Sequence, residues 1–261
     1  MISTSRAFDR AASVYDQTRP LPEPIATHGI PAILDVAGRD ARILEAGTGT
    51  GRIGVPLLER GANVIGCDLS AKMLARFQDK IPSARLAQAD AGYLPFRASH
   101  FDAVLTAHVM HLVGPWREAL REFRRVLKPG GVYLNVRTWE PVGVSVREQV
   151  RVAWRSWMAA RGIDGRHPGV QSREDLLHEL KQMGARVTEV EAVRFTHTYT
   201  LREELERFET RVYSDTWSMP DAVFNESVHD LRARLIRDHD DLDHQLEDAV
   251  RFAIDVACFE G

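Results

Sequence analysis

The sequence lacks several features that would place it outside the ordinary globular class. It has only two cysteines in 261 residues, Cys67 and Cys258, which lie far apart without metal-ligand spacing around either. We interpret both as buried, reduced and structural, and we expect no metal site. No segment approaches the roughly 20 apolar residues of a membrane helix, and residues 1–10 contain no apolar run typical of a signal peptide. These absences predict a cytoplasmic protein without membrane insertion.

An excess of charge of one sign is also absent. The chain has 34 basic and 37 acidic side chains, which give a formal net charge of -3. Such a balance provides no global positive field that would attract nucleic acid or an anionic membrane, so we expect no DNA partner. The composition is 44% hydrophobic and 27% charged, which is sufficient for a sizeable core.

The order of apolar runs and helix-period segments predicts an α/β fold. Five predicted strands alternate with helices, at residues 42–46, 63–67, 85–89, 101–107 and 132–137. Two further strands are predicted at 185–198 and 249–259. We divide a single domain, 1–261, into N-terminal helices at 1–40, a core at 41–139, a helical insertion at 140–171, and a segment at 172–261 with the last two strands and a second insertion at about 201–240.

A glycine-rich loop joins the first core strand to its helix. Gly47, Gly49 and Gly51 let the backbone approach a ligand, and the helix that follows offers free N–H groups. The loop also satisfies the dinucleotide fingerprint in another register, so two cofactors compete for it. Counting from the first glycine after the strand puts Arg52 where a dinucleotide site needs its third glycine. Glu45 suits the cationic groups of S-adenosylmethionine better than a pyrophosphate, so we prefer that cofactor.

Carboxylates follow three successive strands of the predicted core. Glu45 ends the first strand, Asp68 ends the second at 21 residues after Gly47, and Asp90 follows the third. Since parallel strands end at one edge of a sheet, Asp68 is placed to bind ribose hydroxyls and Asp90 to reach an adenine amino group. Met73 is interpreted either as helix core or as an apolar cover on the adenine.

Several segments resemble class I S-adenosylmethionine-dependent methyltransferases. Residues 43–51 look like motif I of that class, and residues 64–70 look like the acidic motif that follows it. The remaining blocks and a lead-in helix resemble the ubiquinone/menaquinone-biosynthesis (type 11) group, at 89–96, 101–104, 125–131 and 8–16. This resemblance covers about half of the chain.

The resemblance implies a Rossmann-like, seven-stranded and mostly parallel sheet with an antiparallel last strand. Helices would cover both faces, and the helical insertions would form a cap over the substrate. The cofactor would be S-adenosylmethionine, with S-adenosylhomocysteine as its product, and the lead-in segment would close the site through Tyr15 and Arg19. The predicted cofactor-binding residues are Tyr15, Arg19, Glu45, Gly47, Thr48, Gly49, Gly51, Asp68, Leu69, Met73, Asp90 and Ala91.

His108 is the candidate catalytic residue. It follows the fourth strand, where the family places the methyl group, and it would act as a base or as a hydrogen-bond partner of the substrate. We interpret His111 as a helix-cap or core residue. The segment 106–109 lacks the Asn/Asp-Pro-Pro-aromatic motif of amino-group methyltransferases, which argues against adenine or glutamine methylation.

Aromatic side chains of the insertions are candidates for the substrate pocket, although helical spacing is also typical of core residues. They are Trp139, Trp154, Trp157, Tyr213 and Trp217. Arg147, Arg151 and Arg155 form a four-spaced stripe that would either bind an acidic ligand or RNA, or form a solvated helix face.

The leading hypothesis is methyl transfer from S-adenosylmethionine to a small molecule by in-line displacement. The alternatives are an NAD(P)-dependent oxidoreductase, an S-adenosylmethionine-binding module without catalysis, and an RNA methyltransferase. The sequence decides neither the acceptor, nor its nucleophilic atom, nor the oligomeric state.

Overall fold

The computed structural model describes residues 15–163, 166–217 and 219–259. The strands in these residues are β1 (Arg42–Ala46), β2 (Asn63–Asp68), β3 (Arg85–Gln88), β4 (Phe101–Ala107), β5 (Leu127–Pro141), β6 (Ala185–Thr200) and β7 (Gln245–Phe259). The α-helices are α1 (Tyr15–Thr18), α2 (Ile30–Ala37), α3 (Gly54–Glu59), α4 (Ala71–Lys80), α5 (Trp116–Val126), α6 (Val146–Ala160), α7 (Arg173–Gln182), α8 (Leu201–Glu209) and α9 (Asp221–Asp238). A π-helix, Ile25–Gly29, precedes α2, and a short 3-10 helix, Ser214–Thr216, follows α8.

The strands form one sheet of seven in the order β3-β2-β1-β4-β5-β7-β6. Strands β1 to β5 pair in parallel, whereas β7 is antiparallel to both β5 and β6. This confirms the seven-stranded, mostly parallel sheet with an antiparallel last strand. The order reverses between β1 and β4, and ligands of open α/β sheets bind at such a point, beyond the carboxyl ends of the strands.

Each face of the sheet has its own hydrophobic core, because helices cover both faces. Successive residues of β1 show this: Ile43 belongs to the core beneath the π-helix, α2 and α3, and Leu44 belongs to the core beneath α5 and α7. Both side chains are fully buried. A strand that is buried on both faces has a continuous apolar run rather than an alternating one.

A third hydrophobic cluster lies in the helical insertions. Helices α6, α8 and α9 contribute Trp154, Leu205, Phe208, Phe224 and Leu231 to it. We call the unit formed by α6, α8, α9 and the 3-10 helix the cap. Helix α8 begins directly after β6 ends, so the cap is attached to the carboxyl edge of the sheet.

Several element boundaries differ from the sequence-based prediction for local reasons. Within the N-terminal helices predicted at 1–40, a π-helix precedes α2, because Pro31 at the start of α2 has no N–H to donate. Within the second insertion predicted at about 201–240, α8 ends at Glu209, since Arg211 has a left-handed φ of 53°. Strand β5 begins at Leu127 rather than at 132, with a register irregularity where it pairs with β4.

Other sequence-based expectations have mixed outcomes. The lead-in block 8–16 lies outside the described residues except for Tyr15 and Asp16. Cys67 is buried as expected, but Cys258 is only half-buried. Within the described residues, no helix is long and apolar enough to cross a membrane. The division of the chain into one domain with two insertions stays a prediction.

Candidate active site

The glycine loop between β1 and α3 is fixed by hydrogen bonds to the end of β2. The N–H groups of Gly47 and Thr48 both donate to the Cys67 carbonyl, at 2.8 and 3.0 Å. The N–H of Gly49 donates to the Asp68 carboxylate at 2.8 Å. The loop is therefore held against β2 before any ligand binds.

The glycines of this loop serve different purposes, which the Cβ position of each one reveals. A Cβ on Gly47 would lie 2.3 Å from the Val109 side chain, and one on Gly51 would lie 2.8 Å from Phe77. A Cβ on Gly49 would meet no atom within 4 Å, although its φ of 56° is left-handed. Gly47 and Gly51 thus permit close packing of the loop on its neighbours, whereas Gly49 faces the open space that a ligand would enter.

Glu45 lies under the loop and not at the surface. Its side chain is 2% exposed, and its carboxylate accepts a hydrogen bond from the Thr48 hydroxyl. Gly54 makes room for it, because a Cβ there would lie 2.4 Å from the Glu45 carboxylate. Burial, together with the negative charge of Asp68, raises the pKa of Glu45 to about 8 despite the Thr48 hydrogen bond. Glu45 therefore supports the loop from below.

Asp68 is placed at the carboxyl edge of the sheet, as predicted. Its two carboxylate oxygens accept hydrogen bonds from Gly49 N–H and from Ser70 N–H, each at 2.8 Å. Ser70 in turn caps α4 by accepting from Met73 N–H. Leu69 is 44% exposed beside this carboxylate, which offers an apolar surface next to a polar one. This combination fits a nucleoside, with its hydroxyls on one side and its base on the other.

The described part of the lead-in segment, residues 15–19, is attached to the glycine loop through Asp16. Its carboxylate accepts from the Thr50 hydroxyl at 2.5 Å and forms an ion pair with Lys80 at 2.6 Å. Arg19 then bridges to the cap, because its guanidinium donates to the Val212 carbonyl and lies 5.2 Å from the Trp217 ring centroid. The segment therefore links the glycine loop to the cap, and its closing of the cofactor site stays a prediction.

A cavity of about 770 Å³ lies between the lead-in segment, the β4–α5 connection and the cap. Six of the predicted site residues line it: Tyr15, Arg19, His108, Trp139, Tyr213 and Trp217. The predicted cofactor residues of the glycine loop and of β2 lie outside its lining. The structure therefore separates the predicted site into the open surface at Gly49 and Asp68, which we call the groove, and a neighbouring cavity.

His108 faces this cavity from the end of β4. It is exposed to the cavity, and its Nε2 shares a 2.5 Å hydrogen bond with the hydroxyl of Thr138 on β5. Its φ of 56° is left-handed, which costs energy for a residue other than glycine and is found more often at functional sites. Although His108 is open to the cavity, the surrounding protein atoms displace water from the ring, and this desolvation, followed by the charges of nearby arginines, lowers the pKa of His108 to about 3. The ring is therefore neutral at physiological pH.

His111 is paired with a second histidine, which the sequence did not reveal. The rings of His111 and His167 meet edge to face at 4.9 Å, and both line the cavity. The chain after α6 is held there by backbone bonds from Gly169 and Val170 to the β4–α5 connection. Burial and the charge of His167 lower the pKa of His111 to about 4. His111 is thus a cavity residue, which corrects its interpretation as a helix cap or core.

Two aromatic residues of the predicted pocket need correction. Trp154 is 2% exposed and packs 5.2 Å from the Phe208 ring in the cap core, away from the cavity. Trp157 packs against the same core and donates its indole N–H to Asp230. We therefore remove both from the predicted pocket, because they stabilise the cap. Met73 is 2% exposed in the structure, which favours its helix-core interpretation.

Asp90 lies two residues beyond the end of β3. Its carboxylate accepts from Gly92 N–H at 2.8 Å, and its side chain is exposed. Ala91 beside it is half-buried. Their contact with an adenine ring stays a prediction.

Sequence reasoning missed part of the arginine cluster in the cavity wall. Arg52 was noted only as the residue that spoils a dinucleotide register, and Arg207 was not considered. The stripe of Arg147, Arg151 and Arg155 lines the cavity and is not merely a solvated face. Its four-residue spacing was the available signal, but spacing alone does not tell which way a helix face points.

Comparison with known proteins identifies the segment that carries the loop and β1 to β5. Residues 44–135 match the family described as methyltransferase domain, of type 11. Within this segment the chain is similar to methyltransferase domains. The sequence-based resemblance to the S-adenosylmethionine-dependent methyltransferases is confirmed for residues 44–135.

Two curated relatives illustrate the similarity. Malonyl-[acyl-carrier protein] O-methyltransferase of Salmonella typhimurium is 38% identical over 128 residues, which cover 48% of this chain and 49% of the relative. Demethylmenaquinone methyltransferase of Beutenbergia cavernae is 32% identical over 131 residues, covering 48% and 53%. The chain thus spans about half the length of the curated relatives that it matches, and the cap lies outside the family match.

A solved structure extends the likeness to the whole fold. Phosphoethanolamine N-methyltransferase 2 of Haemonchus contortus, in complex with phosphomonomethylethanolamine and S-adenosylhomocysteine, aligns with a TM-score of 0.56 at 19% identity. The alignment covers 100% of this chain and 61% of that one. At this identity the likeness concerns the fold alone.

Proposed function

We propose that the protein transfers a methyl group from S-adenosylmethionine to a small-molecule acceptor held in the cavity under the cap. The observation that carries this proposal is the position of the cavity, which adjoins the glycine loop and opens at the end of β4 beside His108. In an open α/β sheet this is the crevice where ligands bind. We place the enzyme in the cytoplasm as part of the same proposal.

The residues of the groove fit the cofactor. When bound, S-adenosylmethionine supplies a methyl group on a positively charged sulfur, which keeps the electron pair of the broken carbon–sulfur bond. Asp68 would hold the ribose hydroxyls, Leu69 would contact the base, and Gly49 would let the ligand approach the backbone. Arg52 has a buried Nε atom without a hydrogen-bond partner among the described residues, and Arg19 lies nearby. These two guanidinium groups suit the methionine carboxylate.

The cavity distinguishes the proposed enzyme from the alternatives. A binding module without catalysis needs no acceptor space, whereas about 770 Å³ falls within the range of small-molecule sites. An oxidoreductase needs a small residue where Arg52 stands, since the third glycine of the fingerprint permits close helix–strand packing. An RNA methyltransferase needs phosphate contacts spread along a surface, whereas the stripe arginines converge on a cavity.

The chain's own contribution to methyl transfer is alignment and exclusion of water. The cap covers the acceptor, and Thr138 holds the His108 ring in one orientation through its hydroxyl. A base with a pKa far below neutral takes up a proton poorly. We therefore propose that His108 forms a hydrogen bond to the acceptor and does not remove a proton from it. Of the two roles that the sequence left open, base or hydrogen-bond partner, this keeps the second.

This assignment predicts the protonation behaviour of His108. Because the pKa is lowered to about 3, the imidazole gains its charge only in strong acid, and its NMR resonances should not titrate between pH 5 and 8. The spectrum of His108→Asn, which tolerates a left-handed φ, identifies the resonances. A midpoint near the unperturbed value of about 6.5 would instead restore the general-base role.

Ligand selectivity tests the proposed function. Calorimetry with the full chain should show micromolar-range binding of S-adenosylmethionine and S-adenosylhomocysteine, and no comparable binding of NADH. The reasons are the carboxylate at Asp68 and the missing third glycine at Arg52. Tighter binding of NADH than of S-adenosylmethionine would overturn the proposal.

A further inference from the structure

The wall of the cavity carries far more positive than negative charge. Among the residues that the structure describes, seven arginines and one acidic residue, Asp215, line it. Two of them, Arg19 and Arg52, lie beside the glycine loop, and the other five are Arg147, Arg151, Arg155, Arg166 and Arg207. The whole chain has a formal charge of -3, so the cluster does not reflect the general composition. A local concentration of this kind favours an anionic ligand.

Two of the cap arginines are only loosely paired with protein carboxylates. The closest nitrogen of Arg151 is 3.7 Å from Glu148, and Arg207 Nε is 3.9 Å from Glu204. Both distances exceed hydrogen-bond length, and Arg207 Nε is buried without a partner among the described residues. Arg147, in contrast, lies 2.9 Å from Glu204 and stacks on the Tyr199 ring, so it stabilises the cap.

Glu204, the acidic residue near these arginines, does not line the cavity. Glu204 is fully buried and accepts a hydrogen bond from the Tyr213 hydroxyl. Burial raises the pKa of Glu204, even though three arginines act against the rise. Arg151 lies over the ring of Tyr213 at 4.9 Å, so both loosely paired guanidinium groups converge near this buried acid. Both arginines line the cavity, and their closest carboxylates lie beyond hydrogen-bond length.

The pKa values of the histidines in the cavity are also affected by the positive charge of the arginines. Burial first, and the nearby arginines second, lower the pKa values of His108 and His197, and Arg151 also contributes at His111 and His167. A wall that keeps its histidines neutral adds no further positive charge of its own. An anion entering this space would offset the charge of Arg151 and Arg207, which the described carboxylates pair only loosely.

We infer that the methyl acceptor is a small anion whose carboxylate or phosphate group is held by Arg151 and Arg207. Guanidinium groups bind both anions through paired N–H donors. Trp139, Tyr213 and Trp217 form an aromatic part of the same wall, so the acceptor also has an apolar portion. This inference rests on the proposed function, because it assigns the cavity to the acceptor and the groove to the cofactor.

The test compares charged aryl probes with neutral aryl analogues. Benzoate is paired with benzamide, and phenyl phosphate with phenol, and each is titrated calorimetrically into the full chain with and without saturating S-adenosylhomocysteine. At least one anion should bind about tenfold or more tightly than its neutral analogue, because charge and not shape is recognised. The better of the two anions tells carboxylate from phosphate.

Substitutions link the effect to the two arginines. Arg151→Gln and Arg207→Gln should each weaken binding of the preferred anion about tenfold or more. Arg202→Gln provides the matched control, since Arg202 lies on α8 with Arg207 but pairs with Asp243 outside the cavity. The control should bind the anion as the wild type does, and all three variants should bind S-adenosylhomocysteine normally.

The possible failures are distinguishable. Equal affinity for anions and neutral analogues, or an Arg207→Gln variant that behaves like Arg202→Gln, would overturn the acceptor class. Stronger binding of single-stranded oligouridylate than of either aryl anion, lost in Arg151→Gln, would replace the small molecule with RNA. Absence of S-adenosylhomocysteine binding to the wild type would contradict the proposed function itself, whatever the anions do.

Discussion

Replacing Asp68 with alanine is expected to weaken S-adenosylhomocysteine binding by about 1 to 3 kcal/mol, roughly 5- to 150-fold, because ribose hydroxyls would lose their acceptor. The structure adds a second reason. The same carboxylate holds Gly49 N–H and Ser70 N–H, so its loss also frees the glycine that faces the open groove. Calorimetry with the purified variant measures the loss of affinity.

Two further variants separate ligand binding from loop support. Asp68→Asn keeps one oxygen acceptor while removing the charge, so it should bind more weakly than the wild type but better than Asp68→Ala. Asp102→Ala is the matched control, because Asp102 also accepts a backbone N–H, from Arg42, but lies at the start of β4 on the opposite edge of the sheet. It should leave the affinity unchanged. A folded Asp68→Ala protein with wild-type affinity would remove Asp68 from the site.

Glu45→Gln is expected to change how stability depends on pH. Between the ordinary value of 4.5 and the raised pKa of about 8, the folded protein keeps the proton of Glu45 while the unfolded chain has lost it. The wild type therefore loses stability as the pH rises through this window, by a few kcal/mol in total, at up to about 1.4 kcal/mol for each pH unit. Glutamine does not titrate, so that loss disappears.

Urea unfolding at pH 5 and pH 8 measures this difference. The free energy of unfolding of the wild type should fall more between the two pH values than that of Glu45→Gln, by roughly 2 to 4 kcal/mol. Glu118→Gln is the control, since Glu118 is 54% exposed and pairs with Arg121 at the surface. Its pH dependence should follow the wild type. Identical slopes for wild type and Glu45→Gln would mean that Glu45 is ionised when buried.

The sequence was sufficient for the sheet because its pattern is local and repeated. Ile43 and Leu44 lie in one short apolar run, and the glycine loop that follows marks the strand end without any knowledge of the fold. The position of Asp68 followed from its spacing to Gly47, since one βα unit has a narrow range of lengths. Motif spacing thus predicted correctly that Asp68 lies beside the glycine loop.

The cavity was harder to predict from the sequence, because its wall is formed by segments that lie far apart in the chain. Arg52 and Arg207 are separated by about 150 residues, yet both line it. The helical spacing of the aromatic residues did not show which face of α6 is turned toward the cavity. Trp154 lies in the cap core, whereas Arg151, three residues earlier on α6, lines the cavity. Only the packing of α6 on α8 and α9 decides which face of the helix is buried.

We expect the cofactor groove to open into the acceptor cavity at His108. A crystal structure with bound S-adenosylhomocysteine tests this most directly. The ribose hydroxyls should lie within hydrogen-bond distance of the Asp68 carboxylate, and the sulfur should face the cavity on the side of His108. A nucleoside bound away from Asp68, or a sulfur directed away from the cavity, would contradict the account.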